Sequence, residues 1–255
     1  MAIVEYEVRD RIAYITMNRP DKLNAINAEL RTALFDAFED VKYNDDIWVA
    51  IITGNGTAFS TGHDLVEMGT GAHSGPPDPR TTDDLYVFEL GIFKPIIAAI
   101  NGTCLAQGGG IALASDIRIA SERARFGWPQ VKRGISSVSG PCMLAQRLPF
   151  NIAMEILLSG EFISAEQALH LNLVNKVVPH EQLIPAAEEV AKKILVNAPL
   201  SVRAIKEVAV RGLGMDIQDR IRLARLMAEK VLTSADAQEG LAAFREKRAP
   251  AWQGR

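Results

Sequence analysis

Four short runs rich in β-branched residues, Ile12–Met17, Trp48–Thr53, Pro95–Ile100 and Asp116–Ala120, alternate with segments of helical pattern in the first 120 residues. That alternation leaves few solutions: an α/β fold in which crossovers are right-handed and helices cover a sheet. A helix from about Ala28 to Tyr43 puts Leu30, Leu34, Phe38 and Val41 on one face, and Asn27 is its expected N-cap. Beyond about Ser139 the pattern becomes mostly helical, punctuated at Pro149, Gly160 and Pro179 and interrupted by an apolar run at Leu173–Val178. Two parts are expected, a core over residues 1–199 and a helical oligomerisation region over residues 200–255. No internal sequence repeat stands out.

With 255 residues and 48% hydrophobic content, the chain can bury a large core without cross-links. Cys104 and Cys142 both lie in Gly- and Ala-rich surroundings, without zinc-like spacing, and read as reduced core thiols of a cytoplasmic protein. The net charge of -3, with both signs interspersed, argues against a nucleic-acid partner. The start of the chain has no signal-peptide pattern. The most apolar stretch, Pro95–Ser115, is interrupted by Asn101, Thr103, Gln107 and three glycines, so a buried strand and helix are expected there rather than a membrane span. Gly69–Pro79 is rich in Gly and Pro and reads as a mobile loop, either a gate or an inert insertion.

The chemistry concentrates in two loops that follow strands, Thr53–Leu65 and Asn101–Ala112. In each, small residues permit close backbone approach, and a helix start leaves amide donors unpaired. Two such turns can aim two N–H groups at one oxygen, forming an oxyanion hole. A dinucleotide site fits poorly, because the glycines read Gly108-Gly109-Gly110 and the third required glycine position holds Leu113. No nucleophile elbow, phosphate-cradling Walker loop or metal-ligand spacing occurs, so neither a metal nor a separate cofactor is expected.

Several segments, in order and over nearly the whole chain, resemble the crotonase superfamily, the enoyl-CoA hydratase/isomerase family. They are Asn18 to Ile26, Ala58 to Leu65, Asn101 to Asp116 with the glycine run displaced by about two positions, Phe126 to Pro129, Leu158 to Gly160, and Phe244 to Pro250. The resemblance implies a ββα spiral core with a C-terminal helical trimerisation region, assembled as a homotrimer or a dimer of trimers. It implies an acyl-CoA substrate, with coenzyme A entering only as part of that substrate, and chemistry of the kind used in fatty acid metabolism. The amides of Ser60 and Gln107, or Gly108 after a one-residue shift, would hold the thioester oxygen. Lys22, Leu23, Ala25, Ser60, Thr61, Gly62, His63, Asp64 and Leu65 would line the coenzyme site, and Phe244 and Lys247 would reach a neighbouring subunit's nucleotide.

The family moves protons with two glutamates, and the matching positions here hold Gly110 and Gln130, while Val138 stands where some relatives carry an aspartate. Ordinary hydration is therefore expected to be weak, and decarboxylation, thioester hydrolysis or isomerisation come into view. A noncatalytic acyl-CoA binder or sensor and a weak hydratase are the alternatives. His63 is a candidate base or simply a lining residue. Asp64 is expected to fix its loop, and Glu67, Tyr86 and Glu89 to face either the acyl end or the packing around it.

Overall fold

The computed structural model describes residues 2–70 and 80–255, so most of the Gly69–Pro79 stretch lies outside the described residues. The chain opens with a hairpin of β1 (Val4–Arg9) and β2 (Ile12–Met17). Its two-residue tip, Asp10 and Arg11, has φ of 52° and 65°, the left-handed pair that matches the twist of the flanking strands. Three times the chain then lays one strand in each of two sheets. β3 (Val49–Gly54) is followed by β4 (Ala58–Ser60), β5 (Ile96–Ile100) by β6 (Thr103–Leu105), and β7 (Ile117–Ser121) by β8 (Arg125–Gly127). After β9 (Ile163–Ser164) and β10 (Lys176–Val178), the larger sheet has the order β1-β2-β3-β5-β7-β10 and the smaller one β4-β6-β8-β9. All neighbours are parallel except β1 with β2 and β8 with β9.

Helical segments follow the strand pairs, and the successive ββα turns form the spiral that the family resemblance implied. α1 (Ala28–Tyr43) precedes β3, α2 (Leu65–Thr70) and α3 (Thr82–Leu90) separate β4 from β5, and α4 (Gln107–Ala114) separates β6 from β7. The later helices are α5 (Ala145–Arg147), α6 (Phe150–Ser159), α7 (Ala165–His170), α8 (Leu183–Leu195), α9 (Pro199–Arg211), α10 (Ile217–Leu232) and α11 (Ala235–Glu246). The repeat is architectural and invisible in the residues, because each turn packs against a different wall.

The central strands of the larger sheet, β3 and β5, are buried on both faces, which is why they read as continuous apolar runs. On β3, Ala50 and Ile52 join the core cluster that holds Leu30, Leu34 and Phe38 of α1. Val49 and Ile51 face the other way, against Leu183, Ala187 and Ala191 of α8. Each fully buried Leu or Phe contributes about 1.5–3 kcal/mol. Asn27 caps α1 as expected, its side chain accepting from the Leu30 amide at 3.0 Å. The stretch from Pro95 onward resolves into β5 and α4, both buried, with the short β6 between them. Strands of two or three residues such as β6 and β9 carry too little alternation to be read in advance. Cys104 is buried as expected, whereas Cys142 is exposed: it lies on the outer side of the π-helical turn Gly140–Leu144. Among the described residues, no helix is long and apolar enough to cross a membrane.

The C-terminal helices differ in how they meet the core. α9 is anchored: the buried Lys206 Nζ donates to Asp116 Oδ2 at 2.6 Å and to the Lys94 carbonyl at 3.0 Å. The same Asp116 oxygen accepts from the Ile96 amide at 2.7 Å, so one carboxylate ties α9 to the start of β5. α10, by contrast, buries none of its residues. Lys206→Met is therefore expected to lower unfolding free energy by about 3 kcal/mol, the scale for leaving one buried charge alone. Urea titration reads this directly, and a loss under about 1 kcal/mol, the value of a surface pair, would contradict the anchoring role.

Candidate functional site

Because β4 and β6 are parallel neighbours, the loops that leave their carboxyl ends emerge side by side, the place where α/β sheets hold ligands. Gly62 closes the gap between them. Its φ is +86°, and a Cβ there would lie 2.9 Å from the Gln107 amide nitrogen and 2.9 Å from the Ala106 Cβ. Ile26 grips this loop from behind: its amide donates to the Gly62 carbonyl at 2.7 Å, and its carbonyl accepts from Asp64 at 3.1 Å. In that parallel bridge the amide of His63 points away from Ile26, and it finds no acceptor among the described residues. The Gln107 amide, at the first position of α4, also lacks one among them.

In the first loop the amide left facing away from Ile26 is that of His63. Ser60 is fully buried and lies behind the cleft wall. Its hydroxyl donates to the Asn24 carbonyl at 2.8 Å and accepts from the Gly62 amide at 3.2 Å. Thr61 and His63 line the cleft, on either side of Gly62. Gln107 remains the second donor, and Gly108 is taken up in packing.

Each glycine at the start of α4 faces a different wall. A Cβ on Gly108 would meet the Ser60 carbonyl oxygen at 2.4 Å, and one on Gly109 the Trp128 ring at 2.7 Å. A Cβ on Gly110 would lie 2.8 Å from the Tyr86 ring and 2.9 Å from the Ser139 Cβ. The volume that a glutamate would need at position 110 is therefore filled by Tyr86. Ala106, just before α4, carries φ 52° and ψ -116°, a conformation of the kind that costs about 1–3 kcal/mol for a residue with a Cβ. Ser139 supports that turn, its hydroxyl donating to the Ala106 carbonyl at 3.2 Å and accepting from Trp128 Nε1 at 3.3 Å.

A cleft of about 580 Å³ opens beside the two free amides. Leu23, Ala25, Thr61, His63, Leu65 and Gln107 line it, and Gln130 and Val138 do so as well. Burial pushes the His63 imidazole below its ordinary value, with Asp83 opposing and Arg31 reinforcing the shift. Two cleft-lining residues, Gln107 and Gln130, each have a buried side-chain oxygen without a partner among the described residues, an arrangement that costs free energy. Among the described residues, no three His, Cys, Asp or Glu side chains gather as a metal requires.

Asp83 also lines the cleft, and the sequence reading overlooked it. One oxygen, Oδ1, accepts from Tyr86 Oη at 2.5 Å and from Gln107 Nε2 at 2.6 Å. Oδ2 has no partner among the described residues. The Thr81-Thr82-Asp83-Asp84 stretch looks like a helix start and nothing more, but Asp84 performs the capping with Thr81, leaving Asp83 to turn inward. The available signal was spacing: Asp83, Tyr86 and Glu89 share one face of α3 at i, i+3 and i+6. Burial, followed by the bond to Asp83, pushes the Tyr86 phenol well above its ordinary value.

The other candidates serve structure. Asp64 Oδ2 pairs with Arg19 at 3.2 Å and Oδ1 accepts from Val66 at 3.1 Å, fixing the loop start. Burial raises its carboxyl, but the Glu67 amide, Arg19 and the Val66 amide outweigh that and hold it low. Glu67 accepts from the Ala28 amide at 3.0 Å at the head of α1. Glu89 is fully buried, bonded by Ser115 at 2.7 Å and pushed up to about 8 by burial, which Ser115 and Lys206 oppose. Lys22 stands exposed beside Leu23 at the cleft rim. Phe244 and Lys247, at the end of α11, do not line the cleft, and Phe244 is among the most exposed apolar residues.

A family model described as enoyl-CoA hydratase/isomerase matches residues 7–255. (E)-benzylidenesuccinyl-CoA hydratase of Thauera aromatica is 38% identical over 98% of this chain and 99% of its own. Carnitinyl-CoA dehydratase of Salmonella typhi is 38% identical over 96% of this chain and 95% of its own. The crystal structure of enoyl-CoA hydratase from Mycobacterium tuberculosis H37Rv matches over 100% of both chains with a TM-score of 0.91 and 36% identity.

The packing at position 110 can be tested on its own. Gly110→Glu is expected to destabilise the protein by about 1–3 kcal/mol, the usual cost of overfilling a packed site. Adding Tyr86→Ala should recover part of that loss, since the two changes compete for one volume. Strict additivity of the two changes in thermal or chemical unfolding would show that Tyr86 does not occupy the space.

Proposed function

The chain belongs to the enoyl-CoA hydratase/isomerase family, and from that premise we propose that it holds an acyl-CoA thioester with the thioester oxygen between the amides of His63 and Gln107. The single observation that carries the reading is the pairing of those two unsatisfied donors across Gly62. As the carbon next to the thioester carbonyl loses or gains a proton, negative charge develops on that oxygen. Donors already aimed at it stabilise the change without reorganisation, about 3 kcal/mol for each. Leu23, Ala25, Thr61 and Leu65 bound the channel for the pantetheine arm, and Lys22 at the rim supplies positive charge for the nucleotide phosphates.

The acyl end of the cleft supports a polar substrate. The unpartnered Gln107 and Gln130 oxygens accept hydrogen bonds, so an acyl chain that carries a hydroxyl or another donor fits better than a plain alkyl chain. The two relatives are named as a hydratase and a dehydratase, which agrees with water being added to or removed from such a chain. With Gly110 and Gln130 at the glutamate positions, crotonyl-CoA is a poor substrate in this account.

Assembly is part of the proposal. α10 is amphipathic in sequence yet buries nothing within the chain, and Leu226 on it is largely exposed. A second copy that covers the helices after residue 200 would bury this face, giving a trimer or a dimer of trimers, and would bring Phe244 and Lys247 toward a neighbour's nucleotide.

Calorimetry with butyryl-CoA and 3-hydroxybutyryl-CoA is expected to detect both, the hydroxylated thioester binding more tightly. Failure of every thioester to bind would overturn the reading. Hydration of crotonyl-CoA is expected to run at least about 100-fold below the common enzymatic rate of about 10 s⁻¹. In sedimentation, a trimer or hexamer is the expected species, and a monomer at micromolar concentration would remove the assembly proposal.

A further inference from the structure

We propose that Asp83 is the catalytic base and acid of this cleft, moving the proton on the carbon next to the thioester carbonyl. The inference rests on the acyl-CoA reading above and goes further by naming the group that replaces the two absent glutamates. Three observations converge on it. Asp83 is the carboxylate that lines the cleft among the described residues, together with the two oxyanion donors. Its Oδ1 is immobilised by Tyr86 Oη at 2.5 Å and Gln107 Nε2 at 2.6 Å, which fixes the carboxylate plane and leaves Oδ2 for the substrate. The space at Gly110 is occupied by the ring that carries the Tyr86 hydroxyl, so loss of one carboxylate and support of another are a single rearrangement.

Gln107 couples the two halves of the reaction. Its backbone N–H faces the thioester oxygen while its side chain holds the base, so the distance between base and oxyanion is set within one residue. A glycine at this position, as the family's undisplaced glycine run would place here, has no side chain to reach Asp83. In the forward step the Cα–H bond breaks and the proton passes to Asp83 Oδ2. The electron pair moves through the carbonyl carbon onto the thioester oxygen, held as an enolate by His63 and Gln107. The Asp83 carboxyl exchanges its proton with solvent, and delivery of the solvent-derived proton or deuteron from the same oxygen to the α-carbon regenerates the thioester, so no oxidant or further reactant enters. Tyr86 acts as a positioning residue, through Asp83.

The test uses the full chain with butyryl-CoA in deuterium oxide, following deuterium incorporation at the α-carbon by mass spectrometry and binding by calorimetry. The wild-type protein is expected to exchange well above the solvent rate. Asp83→Asn, nearly isosteric, should bind within about threefold of wild type and lose exchange by at least about 100-fold, as removal of a general base does. Asp83→Ser, compatible with a helix start, provides a second variant if the asparagine disturbs α3. Tyr86→Phe should lower the exchange rate at saturating thioester while leaving the dissociation constant unchanged. Wild-type binding without exchange would overturn the proposal, as would a folded Asp83 variant that exchanges within about threefold of wild type. Absence of thioester binding by the wild-type protein would instead remove the acyl-CoA reading, and this inference with it.

Discussion

The contact between Gly62 and the Gln107 amide governs the rest of the site. Two parallel strands of a small sheet end side by side, and their loops approach until no Cβ fits between them. That closeness leaves two backbone donors unsatisfied at the edge of a cleft, because each lies where its own loop provides no acceptor. Everything nearby maintains the approach. Ile26 grips the first loop through two backbone bonds, and buried Asn24 donates to the carbonyls of Asn55 and Ala58 at 2.9 and 2.7 Å. Ser139 and Trp128 brace the strained turn at Ala106 before α4. Strain and close packing maintained around two amides without acceptors among the described residues are what the proposed function rests on.

The second layer is the packing beside Gly110. In the proposed reading, Gly110 and Gln130 stand where glutamates are expected and Asp83 takes over the proton transfer. Tyr86 fills the vacated volume and, with Gln107, supports Asp83 on a neighbouring helix. The three side chains share two short hydrogen bonds, so altering any one changes the other two.

Much of the fold was legible, and the reasons are local. α1 announced itself by its apolar face and by Asn27, and its observed bounds are those the pattern gives. The central strands were readable because both faces are buried, which writes them as unbroken β-branched runs. The small sheet was not, since strands such as β6 have three residues and are defined by partners distant in sequence. The same limit applies to the site. The two loops were visible through Gly62 and the glycines of α4, but a count along the motif leads to Ser60, and only the Ile26 bridge shows which way the His63 amide turns. Asp83 was missed because an aspartate at a helix start has an ordinary explanation, and only the structure shows that Asp84 has already taken that role. Cys142 illustrates the converse: small apolar neighbours in sequence do not bury a residue on the outer side of a helical turn.

The central claim is geometric, and a crystal structure with a non-reactive acyl-CoA thioester analogue tests it most directly. The account predicts the thioester oxygen within about 2.7–3.1 Å of both the His63 and Gln107 amide nitrogens, with the α-carbon facing Asp83 Oδ2. A thioester oxygen bound outside this pair of amides, with His63 and Gln107 solvated instead, would contradict it.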